Sequence, residues 1–75
     1  MKQPKWNGPP SHQEGRYGRF KMINIRLLSN NRYIWVVSWS GSHRKIGVGE
    51  TGDLESAKIE SVIFLENFIN KTFYI

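Results

Sequence analysis

Apolar and polar side chains alternate from Phe20 to Leu28 (FKMINIRLL), with Ile23, Ile25 and Leu27 on one side and Met22, Asn24 and Arg26 on the other. A period of two with large apolar residues on one side predicts a strand that buries one face. Ser29-Asn30-Asn31 supplies turn chemistry, because Asn tolerates positive φ and caps its own backbone. Tyr33 to Trp39 (YIWVVSW) predicts a second strand from its β-branched and aromatic content. Ser40-Gly41-Ser42-His43 predicts a turn back, and Arg44 to Val48 a third strand that Gly47, Gly49 and Gly52 are expected to end. Consecutive strands joined by short turns imply an antiparallel meander.

After Gly52 the period changes. LESAKIESVIFLENFINK, residues 54 to 71, gathers Leu54, Ala57, Ser61, Val62, Phe64, Leu65, Phe68 and Ile69 on one broad helical stripe. Asp53 is placed to cap this helix, and Glu55 favours the positive end of its dipole. Glu55, Glu60, Glu66 and Asn67 lie opposite the stripe. Ile59 and Ile63 also fall on that polar side, one turn apart. They form a candidate protein interface unless the C-terminal TFYI, the N-terminal segment or a second subunit covers them.

Residues 1 to 19 show no apolar period and hold all three prolines and three of the seven glycines. They are expected to be an irregular, flexible basic arm, with Trp6, Tyr17 and Phe20 as aromatic anchors onto a domain spanning 20 to 75. The expected fold class is α+β, a three-stranded antiparallel meander packed on one C-terminal helix.

Composition narrows the chemistry. A chain of 75 residues supports one small domain. There is no cysteine, which removes disulfides, thiolate catalysis and thiolate metal sites together. No apolar stretch approaches the roughly 20 residues of a membrane span, and the N-terminus lacks a secretory signal, so a cytoplasmic or nucleoid-associated protein without a membrane partner is expected. Charge is unevenly placed. Residues 1 to 45 hold nine Lys and Arg against Glu14 alone, whereas residues 46 to 75 hold two Lys against five acidic side chains. A basic surface carried on an acidic support fits a polyanion, and nucleic acid is the commonest one.

One helix covers one face of a small sheet, so the opposite face is free for a ligand. With Ile23, Ile25 and Leu27 turned to the helix, the larger set Tyr33, Trp35, Val37 and Trp39 belongs inside as well. The outward face then carries Asn24, Arg26, Arg32, Ile34, Val36, Ser38, His43 and Lys45, with Arg44 beside the turn. A sheet of two or three strands can enter the major groove of DNA, where Arg and Lys meet phosphates or guanine edges. Lys5, Trp6, Arg16 and Arg19 are candidate contacts from the arm.

The order strand, strand, strand, helix resembles the DNA-binding domains of the ethylene-response-factor type and the related arm-type binding domains of phage tyrosine integrases. The residues that carry the resemblance are Trp35-Val36-Val37-Ser38-Trp39, the step Ile46-Gly47, and Thr51, Glu55 and Ala57 leading into the helix, within residues 22 to 70. It implies a sheet lying in the major groove, with contacts at Asn24, Arg26, Ser38, His43 and Lys45. Ile34 and Val36 stand where that family carries more arginine, and Gly49 where it has an aromatic residue. A chain carrying the binding module alone implies an accessory or regulatory factor, of the kind phages and plasmids encode.

No catalytic set, metal-ligand spacing or cofactor motif is present in the sequence, and an enzyme is not expected. Gly47-Val48-Gly49-Glu50-Thr51-Gly52 lacks the Gly-Lys-Ser/Thr ending of a phosphate loop. Two further readings stay open. One is a protein-interaction module, such as a phage-encoded inhibitor of a host protein, using Ile34 and Val36 or Ile59 and Ile63. The other is RNA or single-strand binding, which requires Tyr33, Trp35 and Trp39 to face outward.

Overall fold

Period-two patterning extends further along the chain than its apolar residues reveal. A computed structural model describes residues 3 to 39 and 44 to 73. The elements are β1 (Lys5–Asn7), β2 (His12–Tyr17), β3 (Phe20–Leu27), β4 (Tyr33–Trp39), β5 (Arg44–Thr51) and α1 (Leu54–Phe73). The strands form one antiparallel sheet in chain order, and α1 crosses one face, chiefly over β4 and β5. The protein is therefore α+β with a C-terminal helix, but its sheet has five strands and not the expected three.

The two additional strands come from the segment expected to be irregular. Its prolines do not interrupt them, because Pro4 precedes β1 and Pro9 and Pro10 sit in the turn after it. That turn is closed by Gly8 at φ +101°, by the His12 amide donating to Pro9 O at 2.9 Å, and by the Gln13 amide nitrogen donating to Gly8 O at 2.5 Å. Gly18, at φ +65°, makes the short turn from β2 to β3. Trp6 anchors β1. It pairs with Gly15 across the sheet, and a Cβ at Gly15 would come within 2.9 Å of its ring. The Lys58 ammonium lies 5.3 Å from the Trp6 ring centroid, a cation–π contact of about 0.5–1 kcal/mol that ties β1 to the helix.

The core lies between the sheet and α1. Trp6, Gly15, Ile23, Val37 and Gly47 form one cross-strand row, and Gln13, Ile25, Trp35 and Gly49 the next. Ile23, Ile25, Val37 and Leu65 are fully buried, and each such side chain contributes about 1.5–3 kcal/mol relative to leaving it exposed. Trp35 retains 6% of its surface, so the indole of β4 faces the helix as its size predicts. It meets Phe64 at a ring-centroid distance of 5.6 Å, and Trp39 meets Phe68 at 5.4 Å.

Gly47 and Gly49 do not end β5. The strand runs through them to Thr51, since a side chain at Gly47 would overlap the Phe64 ring and one at Gly49 would overlap the Trp35 indole. They are receptacles for rings, not strand breakers. Two register shifts also redistribute side chains. Gly15 faces Ile23 whereas Arg16 faces Lys21, which leaves Met22 as an extra residue in β3. Met22 is buried in the core cluster, a correction to its expected place on the outward face. Likewise Val37 faces Gly47 whereas Ser38 faces Lys45, and the extra residue Ile46 packs against the core.

The remaining turns follow their local chemistry. Asn31 takes φ +64°, Asn30 Oδ1 accepts from the Arg32 amide at 3.1 Å, and the Leu28 amide donates to Arg32 O at 2.7 Å. Asp53 caps α1 as expected, its Oδ1 accepting from the Ser56 amide at 2.7 Å. The expected turn at residues 40 to 43 lies outside the described residues. Among the described residues no helix is long and apolar enough to cross a membrane.

Two expectations on stability follow. Gly49→Ala forces a methyl into the Trp35 ring and should cost about 1–3 kcal/mol in urea unfolding. Tyr17 presents a buried hydroxyl with no hydrogen-bond partner among the described residues, and burial, then the nearby Glu66 charge, pushes its pKa above the ordinary tyrosine value. A raised folded-state pKa means that stability is intact below the unfolded-state pKa and falls as pH climbs through the alkaline range toward the folded-state value. Tyr17→Phe should therefore leave neutral-pH stability unchanged or raise it by about 1 kcal/mol, and should lessen the alkaline loss seen in unfolding curves measured as a function of pH.

Candidate nucleic-acid interface

The face of the sheet opposite α1 is open. Between the β2–β3 turn and β5 it forms a trough of about 780 Å³. Asn24 and Arg26 reach it from β3, Ile34, Val36 and Ser38 from β4, and Lys45 from β5. Four of the sequence-predicted contacts, Asn24, Arg26, Ser38 and Lys45, are thus brought together on one surface. Arg26 and Lys45 are exposed, whereas Asn24 and Ser38 are half-buried beside the Ile34–Val36 strip.

The other predicted residues divide. Arg32 is exposed next to β4, and its Nε donates to Glu50 Oε2 at 2.5 Å, so its charge is countered from the neighbouring strand. Arg44 is exposed at the start of β5, opposite Trp39. His43 lies outside the described residues. From the former arm, Lys5 and Arg16 are register partners on the outward side of β1 and β2. Arg19 lines the trough from the β2–β3 turn, with its guanidinium 5.9 Å from the Phe20 ring centroid. Trp6 is on the opposite side of the sheet, packed against the core beneath Lys58, and is not part of this face.

Six members of the trough were not among the predicted contacts: the polar His12, Glu14 and Lys21, and the apolar Phe20, Leu28 and Trp39, the last of which also packs on Phe68. Glu14 is the acidic member of the cluster, 3.5 Å from Arg16 and 3.4 Å from Lys21. The signal was the alternation His12, Glu14, Arg16 along β2, but the residues between are Gln13 and Gly15, so only Tyr17 at the end of the strand marked the inner face. The register shifts help to build the site: turning Met22 and Ile46 to the core leaves the adjacent Lys21 and Lys45 lining the trough.

The two faces of the molecule carry opposite chemistry. Glu55, Glu60 and Glu66 belong to α1, while the open face gathers Lys5, Arg16, Arg19, Lys21, Arg26 and Lys45 around two carboxylates, Glu14 in the trough and Glu50 on β5. A surface of this kind attracts phosphates, with small polar and apolar side chains at its centre to meet base edges or thymine methyls. Among the described residues no group of three or more His, Asp or Glu side chains is arranged to hold a metal ion. Comparison with known proteins found no matching family model, no similar curated protein and no similar solved structure.

Ile59 and Ile63 are 57% and 53% exposed on α1. Neither the N-terminal strands nor any other described element covers them. Residues 74 and 75 of the C-terminal segment considered as their cover lie outside the described residues.

Proposed function

We propose that the protein acts by binding, without catalysis, and that its ligand is duplex DNA received on the open face of the sheet. The observation that carries this reading is the segregation of charge about the sheet: acids on the helix that seals one face, cations around the open trough on the other. Dimensions support it. At about 4.8 Å per strand, β3 to β5 span roughly 10 Å, within a major groove of about 12 Å. Asn24, Arg26, Ser38 and Lys45 would then face base edges and the nearer phosphates. The full sheet is roughly 19 Å wide, so β1 and β2 overhang the groove and bring Lys5 and Arg16 to the flanking phosphate ridge.

The resemblance to ethylene-response-factor and integrase arm-type domains favours the same orientation of the sheet. A chain working in this way suits an accessory or regulatory factor of a phage or plasmid. The buried Trp35 weighs against the single-strand reading, because that indole is unavailable for base stacking, whereas Tyr33 and Trp39 are half-buried and Trp39 lines the trough. A protein-partner role keeps one specific observation in its favour, the exposed Ile59 and Ile63.

Fluorescence anisotropy with random duplex, single-stranded DNA and RNA at two salt concentrations tests the reading; equal or absent binding to all three removes it. Replacing Arg26 and Lys45 together by Ala should weaken duplex binding. If both meet phosphates, the salt slope should fall by about 1.8, with far-ultraviolet dichroism unchanged. Glu14→Gln should act in the opposite direction, releasing Arg16 and Lys21 to tighten duplex binding and steepen its salt dependence in the same titration.

A further inference from the structure

The two edges of the sheet are built differently. The β1 edge is three residues long, with Pro4 before it and Gly8-Pro9-Pro10 after it, and Lys5 on it. Short length, proline and an exposed lysine are the usual protections of an edge strand against further pairing. The β5 edge has eight residues and no proline, and it is the last strand of the sheet, so one row of its backbone groups faces away from β4. At its middle Val48 is 62% exposed, more than any other large apolar side chain described.

Charge on β5 is arranged so that the strand complements itself. On the open face, Lys45 stands toward one end, Glu50 toward the other with one carboxylate oxygen already held by Arg32 of its own chain, and Val48 between them, opposite Val36 of β4. Laid antiparallel against a second β5 and centred on Val48, with Ile46 left as the extra residue as it is against β4, each Lys45 comes beside Glu50 of the second copy, and the two valines meet. Directly opposed apolar and opposite-charge pairs are the favourable cross-strand combinations.

We infer that β5 is a homodimerisation edge, pairing antiparallel with β5 of a second copy to make one continuous ten-stranded sheet. A two-fold axis normal to the sheet puts both helices on one side and both basic faces on the other. Because α1 lies over β4 and β5, a strand spacing of about 4.8 Å sets the two helices roughly 10 Å apart, a distance at which helices pack without collision. Each protomer contributes backbone donors and acceptors to the other, and Val48 loses its exposure. The inference stands independently of the ligand, since it concerns the edge and not the open face.

The test is sedimentation equilibrium of the full chain across a concentration series, without nucleic acid. A monomer–dimer equilibrium is expected. Val48→Lys sets two ammonium groups against each other and should weaken the dimer by about tenfold or more, with an unchanged far-ultraviolet spectrum. Lys45→Glu alone and Glu50→Lys alone should each weaken it, and K45E/E50K together should restore it, an outcome that loss of folding cannot mimic. A chain monomeric at every concentration overturns the inference, as does a dimer that survives Val48→Lys, which would place the contact elsewhere, such as at Ile59 and Ile63. Failure of the double charge exchange to restore association overturns it too. Duplex binding by a strictly monomeric chain would sink the dimer while leaving the DNA reading intact, and a dimer that ignores nucleic acid would do the reverse.

Discussion

The contact on which the architecture turns is the laying of two aromatic rings onto two glycines of β5. Phe64 descends from the helix onto Gly47, and Trp35 spreads across Gly49 from the neighbouring strand. A β-carbon at Gly47 would overlap the Phe64 ring of α1, and one at Gly49 would displace the Trp35 indole on which Phe64 packs. With both absent, the helix seats over β4 and β5, and Trp39 and Phe68 extend the same aromatic seam. Interiors close-pack at nearly crystalline density, so such a seam fixes the helix at one height above the sheet. Among the described residues, the opposite face is then the broad surface that the sheet presents to solvent.

That constraint also separates the charges. The helix is held by its apolar stripe, so its acids, Glu55, Glu60 and Glu66, sit on or beside its outer side, while the strand registers send Lys5, Arg16, Lys21, Arg26 and Lys45 through to the far face. Trp35 Nε1 reaches Glu60 Oε1 at 3.4 Å, and Lys58 leans over Trp6, so polar residues at the margins of α1 fasten the sheet from both flanks. On the far face Glu14 moderates the cluster between Arg16 and Lys21. Exposed pairs of this kind contribute about 0–1 kcal/mol to stability, so their consequence is for the field over the face and not for the fold.

How much of this was legible depended on which residues marked the inner side of each strand. β3 and β4 were plain because Ile23, Ile25, Trp35 and Val37 are large and spaced by two. The helix was plain for the same reason at its own period, and Asp53 announced its start. β1 and β2 were hidden, because their inner side is made by Trp6, Gln13, Gly15 and Tyr17, where a missing side chain does the packing and leaves no apolar signal. Gly47 and Gly49 misled in a related way: glycine reads as a stop unless the ring above it is known. Met22 was misplaced because a register shift depends on the neighbouring strand and has no local signature. On the open face Asn24, Arg26, Ser38 and Lys45 followed from alternation, whereas His12 and Glu14 needed a strand that composition concealed, and Lys21 needed the register shift at Met22.

The glycines that close the core also shape the outer edge of the sheet. A strand with hydrogen atoms in place of two inner side chains has little bulk to shield its backbone from a neighbour, and Val48 between them points to the other face. Shielding by larger residues at those positions is excluded by Phe64 and Trp35, so the strand that best receives the helix is also the one least protected along its free side. β1 faces no such demand: its single inner ring rests on β2, and proline can therefore stand at both its ends. The difference between a guarded edge and an open one follows from where the helix had to sit.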